Sequence, residues 1–222
     1  MSRAGISPIR LAATSLIGIA FVFFGLFGPA NASGARHSAH APGSVLPPIG
    51  QDVLAQLSGH AEVTSGSRSC SAALTGSLTE QVVGQDPASG TDTVAENGFR
   101  LTGTESCGAA HAPADAVTVT QSTGDQRGTL TVVQQFPPRY QQSLVLDLTV
   151  SLAPAAGSTA GPTVLTSHRP VTLTGTPNTF PPQGEGYRLA QPVDLVASAK
   201  PDTPVATVTA FPVTISTGTG SS

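Results

Sequence analysis

Leu144-Val145-Leu146-Asp147-Leu148-Thr149-Val150-Ser151-Leu152 decides the fold class. Leu144, Leu146, Leu148, Val150 and Leu152 fall on alternate positions, and Val145, Asp147, Thr149 and Ser151 fill the others. Successive side chains of a strand point to opposite faces, so this period of two predicts a strand with one buried face. The pattern recurs on both sides. Asp115–Thr120 (DAVTVT), Gly128–Val133 (GTLTVV) and Val171–Thr174 (VTLT) repeat it, as does Val205–Ser216, where Pro212 implies an edge strand or a bulge. Cys70–Val83, Asn97–Thr102, Thr163–Thr166 and Pro192–Ala197 are further strand candidates. Turn-forming clusters separate them at 86–90, 122–125, 153–162 and 181–184. Ile49–Leu57 is the exception. Ile49, Val53 and Leu57 at i, i+4, i+8 predict one short helix, with a strand as the competing reading.

Roughly ten short strands without amphipathic helices predict an all-β protein, an antiparallel β-sandwich over residues 49–216. A boundary near Ala112-Pro113-Ala114 would divide it into two small sandwiches. An immunoglobulin domain packs a Trp on its disulfide, and this chain has no Trp. Composition agrees with the β reading. There are 27 Thr, a residue of high β-propensity that gives strands a polar but uncharged outer face. Only 10% of the 222 residues are charged, against about 25% in ordinary soluble proteins.

The first 32 residues read as an export signal. Arg3 and Arg10 precede the apolar stretch Leu11–Phe27, Gly28-Pro29 breaks it, and Ala30-Asn31-Ala32 supplies small residues for cleavage before Ser33. An uncleaved membrane anchor is the alternative. Residues 33–48 then form a flexible leader and 217–222 a disordered tail. The mature chain is expected outside the cell, with no membrane attachment after cleavage. Its Arg residues are scattered and Lys200 is its only Lys, so no basic patch exists to bind nucleic acid. Cys70 and Cys107, the only cysteines, predict one structural disulfide in an oxidising compartment. The Ala/Gly/Thr/Pro-rich, Lys-poor composition resembles that of exported proteins from bacteria with GC-rich genomes.

Chemistry-bearing motifs are sparse. G-x-S-x-G is absent, and Gly103-Thr104-Glu105-Ser106-Cys107-Gly108 has the wrong spacing for it. His60, His111 and His168 are candidate bases of a hydrolase assembled from distant residues, while His37 and His40 fall in the leader. Asp86, Asp92, Glu96 and Asn97 gather in a stretch read as one loop, but lack the D-x-D-x-D-G order of a calcium site. No metal and no cofactor are expected. A weak repeat links Phe136-Pro137-Pro138, Tyr140 and Asp147 with Phe180-Pro181-Pro182, Tyr187 and Asp194, with seven residues from Tyr to Asp in both. It predicts two related strand–corner–strand units, each with an aromatic plug, although a Pro- and Thr-rich chain also yields such matches by chance.

The reading that follows is a secreted, non-enzymatic binding or structural module. Its partner would be a cell-envelope component or another secreted protein, met by loops or an exposed strand edge. The alternatives are a secreted hydrolase and, through the Phe136–Tyr140 loop, an inhibitor of another secreted enzyme.

Overall fold

The computed structural model describes residues 46–107, 115–122, 126–154, 159 and 161–217. The export signal, most of the leader, the histidines at 37, 40 and 111, the boundary at 112–114 and residues 218–222 lie outside them. The chain is all-β. Its thirteen strands are β1 (Asp52–Ser65), β2 (Arg68–Asp86), β3 (Thr91–Cys107), β4 (Asp115–Gln121), β5 (Arg127–Gln135), β6 (Pro138–Leu146), β7 (Leu148–Ala153), β8 (Thr163–Ser167), β9 (Val171–Gly175), β10 (Gln183–Leu189), β11 (Val193–Ala197), β12 (Lys200–Ala210) and β13 (Val213–Thr217).

These strands form one antiparallel sheet rather than a sandwich or two. Its order is β12-β11-β8-β7-β4-β3-β2-β1-β13-β10-β9-β6-β5, and it closes on itself twice, through β12–β1 and β3–β5. Two rings of eight strands result, with β1, β2 and β3 as their common wall. Ring one contains β5, β6, β9, β10 and β13; ring two contains β4, β7, β8, β11 and β12. Each strand has a neighbour on both sides, so the expected exposed strand edge does not exist among the described residues.

The shared strands are long because they serve both rings. β1 pairs with β13 through Ala55–Gly59 and with β12 through Glu62–Thr64. β3 pairs with β5 through Thr91–Ala95 and with β4 through Arg100–Glu105. The change of partner on β3 falls at an irregularity opposite β2, between the pairs Ser77↔Arg100 and Thr79↔Asn97. Gly98 occupies it with φ +64°, a conformation that L side chains rarely adopt.

The stretch 144–152 behaves in a way its alternation does not reveal. It is two strands, broken at Asp147, and it carries the chain from ring one into ring two. The inward face runs through the break, with Leu144, Leu146 and Leu148 all buried. Four other short connections cross similarly, between β4 and β5, β8 and β9, β10 and β11, and β12 and β13. The last contains Pro212, which therefore separates two strands rather than sitting within one.

The segment read as a short helix is the start of β1. Val53, Ala55 and Leu57 point inward and pair with β2 and β13. Apolar spacing of four fits both periods, and tertiary pairing settles it as strand. The end of the expected leader lies against β2: the Gln85 side chain donates to the Pro47 carbonyl at 2.5 Å, and Gly50 N–H to the Val82 carbonyl at 2.8 Å. Outward positions carry the polar residues the composition promised, as in the cross-strand pairs Thr118↔Ser151 and Thr120↔Thr149.

Candidate functional site

The interiors of the two rings differ. Ring two encloses a cavity of about 170 Å³. All eight of its strands contribute wall residues, taken from inward positions such as Ala61 and Val63 on β1, Ala72 and Leu74 on β2, Val117 and Val119 on β4, and Leu148, Val150 and Leu152 on β7. Leu165, Val193, Leu195, Ala206 and Val208 continue the wall across β8, β11 and β12. Leu74, Val171, Val193 and Phe211 line it as buried side chains. Ser65, Glu105, Thr163 and Val205 line it while partly or largely exposed, which marks the mouth. An eight-stranded barrel is just wide enough to be filled by its side chains or to hold one small ligand. Here Val, Leu and Ala make up most of the wall, and the space stays open.

Glu105 is the only charged residue in that wall. It faces Ala72 across the β2–β3 ladder, and Cys70 faces Cys107 one inward step further on. The two cysteines form the expected disulfide, with Cα atoms 4.2 Å apart. A Glu105 carboxylate oxygen and the two sulfurs lie within 4.8 Å of one another. With both sulfurs in the disulfide, thiolate ligation of a metal is excluded there.

Ring one is packed. Leu78, Val94, Leu130, Leu144, Leu173 and Ile215 are buried inside it, each worth about 1.5–3 kcal/mol of transfer free energy. It also buries a polar chain. The Tyr187 hydroxyl donates to Gln142 Oε1 at 2.5 Å, and Gln142 Nε2 donates to Glu80 Oε1 at 2.8 Å. Glu80 lies opposite Glu96 in the β2–β3 ladder. Gly128 N–H donates to Glu96 Oε2 at 3.2 Å, and a Cβ at Gly128 would collide with that carboxylate. Glu80 Oε2 and Glu96 Oε1 are buried without hydrogen-bond partners. Burial pushes Glu80 up to about 7; burial, reinforced by the nearby Glu80 charge, pushes Glu96 up to about 8. Burial also raises Asp92 to about 6, with Gln85 beside it acting the other way.

The candidate residues of the sequence are dispersed. His60 and His168 are exposed, the first on β1 and the second just beyond β8. The acidic stretch read as one loop is not a loop. Asp86 caps the β2–β3 turn, accepting from Ala88 N–H and Ser89 Oγ, which holds its carboxyl below the ordinary range. Asp92 and Glu96 point into ring one from β3, whereas Asn97 is exposed. The Phe-Pro-Pro repeat has a structural counterpart: both copies precede a ring-one strand bearing a buried Tyr, which then crosses into ring two. Both Phe–Pro bonds are cis. The plugs differ from expectation, because Phe180 packs against Val94, Leu130 and Tyr140 while Phe136 is 92% exposed. The two aspartates fasten crossings. The Asp147 carboxylate accepts from the Gln126 amide at 2.7 Å and its backbone carbonyl from Ser122 N–H at 2.7 Å; the Asp194 carboxylate accepts from the Thr207 hydroxyl at 2.7 Å and its backbone carbonyl from His168 N–H at 2.9 Å.

No protein-family model and no curated protein matches the chain. Among solved structures it is similar to DynF from the dynemicin biosynthesis pathway of Micromonospora chersina. The likeness covers 77% of this chain and 82% of that chain, with a TM-score of 0.57 and 15% sequence identity. At that identity it is a likeness of fold.

Proposed function

We propose that the chain is an exported, non-enzymatic binding protein that holds a small apolar molecule inside ring two. The cavity carries this reading. A hydrocarbon-lined void of about 150 Å³ stays dry and binds benzene, and the void in ring two is about 170 Å³ with an open mouth. Export follows from the signal pattern of residues 1–32 and suits a chain with one disulfide. The hydrolase alternative draws no support from His60 and His168, which are exposed and lie outside the wall of the ring-two cavity.

Titration calorimetry with octan-1-ol tests the binding. The wild-type protein should release heat to saturation at one site. Ala206→Phe and, independently, Ala72→Phe should abolish the heat while the thermal melt stays cooperative, because both side chains would grow into the void. A wild-type protein that binds neither octan-1-ol nor benzene overturns the reading. The intact mass of protein from culture medium tests export: a species beginning at Ser33 is expected, and a full-length species confined to membranes would contradict it.

A further inference from the structure

We infer that the chain associates head to tail with copies of itself, Phe136 of one copy seated in the ring-two cavity of the next. The inference rests on the reading of ring two as an open apolar site and names a second occupant for it. Phe136 is 92% exposed, and it is the only exposed aromatic side chain among the described residues. It stands in the two-residue turn between β5 and β6, where Gln135 pairs with Pro138. The Gln134 side chain spans that turn, donating to the Phe136 carbonyl at 3.1 Å and to the Pro137 carbonyl at 3.0 Å. The aromatic ring is therefore presented on an ordered backbone, and little freedom is lost when it is buried. Val133, also exposed, adds apolar surface at the same end of β5.

Knob and hole lie at opposite ends of the shared wall. Ser65 and Cys70 belong to the cavity mouth and flank the β1–β2 turn. From there β2 runs past both rings to Asp86, which pairs with Thr91; Thr91 pairs in turn with Thr131, five residues before Phe136. The 19 residues of β2 make roughly 60 Å of strand, so Phe136 cannot enter the cavity of its own copy. It can enter that of another. The void of about 170 Å³ exceeds the roughly 150 Å³ that takes benzene, and a Phe side chain ends in the same ring. Contact between two different patches does not close on a second copy; repeated, it grows an open chain. The contact is small. One Phe contributes about 150–250 Å², and even with the rim around it the area falls short of the roughly 1,200 Å² of a stable interface. The association is therefore weak, with a Kd of about 0.1–1 mM, and a free apolar ligand displaces it.

Sedimentation velocity over about 0.02–1 mM protein, a range that brackets this Kd, is the test. The weight-average sedimentation coefficient of the wild-type protein should climb across the range without levelling at a dimer. Phe136→Ala removes the knob and Ala206→Phe fills the hole, and each variant alone should stay monomeric. An equimolar mixture of the two should form a 1:1 dimer and nothing larger, because one usable knob and one usable hole remain between them. Saturating octan-1-ol should return the wild-type protein to monomer. Ala72→Phe takes the place of Ala206→Phe if the latter does not melt cooperatively. A wild-type protein still monomeric at about 1 mM overturns the inference. So does association that persists in either variant or in saturating octan-1-ol, and so do mixed variants that ignore each other. The proposed function is read separately, from the heat of octan-1-ol binding to Phe136→Ala. Heat there without self-association of the wild type leaves that function standing and removes this inference alone; no heat there overturns the binding reading itself.

Discussion

Rings one and two are built from the same number of strands, share β1, β2 and β3, and differ in what their inward positions carry. Ring one points Leu, Ile, two tyrosines, Gln142 and buried carboxyls at its axis, and they fill it. Ring two points mainly Val, Ala and Leu inward, and a void remains. Strand number sets the diameter of a barrel; side-chain volume then decides whether it becomes a core or a container. The comparison also separates two uses of burial. In ring one, burial holds the fold together and tolerates a polar chain at its centre. In ring two, the apolar wall borders an open void.

Truncation should break the symmetry of the rings most plainly. Leu78→Ala removes a fully buried side chain from the shared wall where it meets ring one, and should cost about 3–5 kcal/mol. Val150→Ala removes methyls that already border the void, and should cost less than about 1 kcal/mol. Chemical denaturation of both variants measures the difference; equal losses would mean that ring two is packed as tightly as ring one.

Reduction of Cys70–Cys107 acts on the mouth of the hollow ring. It frees a loop of 37 residues in the unfolded chain and should cost about 2–4 kcal/mol. At roughly 2–4 °C per kcal/mol for a chain of this size, the melting temperature should fall by about 4–16 °C. A melt unchanged by reductant contradicts the estimate.

A smaller effect distinguishes ring one by pH. Glu80 and Glu96 have folded pKa values of about 7 and about 8, above their ordinary 4.5. The folded state therefore keeps protons that the unfolded state has already released, and stability falls as pH rises from about 4.5 to about 8. Between pH 5 and 8 the Glu80 shift corresponds to a loss of about 2–3 kcal/mol. Glu80→Gln, which cannot ionise, should flatten that slope, while ligand-free ring-two variants such as Val150→Ala keep it. Denaturation midpoints at pH 5, 6.5 and 8 decide the matter, and a slope unchanged in Glu80→Gln would remove the carboxyl as its cause.

Much of the fold is legible where a strand has one plainly apolar face. β4, β5, β7, β8, β9 and β11 coincide with segments whose alternation is clear in the sequence. The start of β1 is hidden because its inward positions include small residues, Ala55 and Ala61, so Ile49, Val53 and Leu57 stand out at helical spacing. The first half of β3 is hidden because Asp92 and Glu96 occupy inward positions, and acidic residues read as loop, whereas Asn97–Thr102 in its second half is a strand candidate. β10 is hidden behind Pro181 and Pro182, which announce a turn just before Gln183 begins the strand. Ring closure has no local signal at all, since Ala55 meets Thr217 across nearly the whole described chain. The disulfide is legible from cysteine count alone. The cavity is not, because each wall residue looks like an ordinary core residue and the void is a property of eight strands together. Glu105 carries no mark in the sequence beyond its place two residues before Cys107.

The double closure of the sheet has a consequence for how such a chain survives in solution. An unpaired outer strand offers a row of free N–H and C=O groups to another molecule, and β proteins commonly guard it with lysines, inward charges or a covering segment. This chain has one Lys and only 10% charged residues, too few to post such guards along thirteen strands. Among the described residues every strand has a neighbour on both sides, which leaves neighbouring copies little template on which to stack. Protection of the strand edges is thereby supplied by topology instead of charge, which suits a surface that is threonine-rich and sparsely charged.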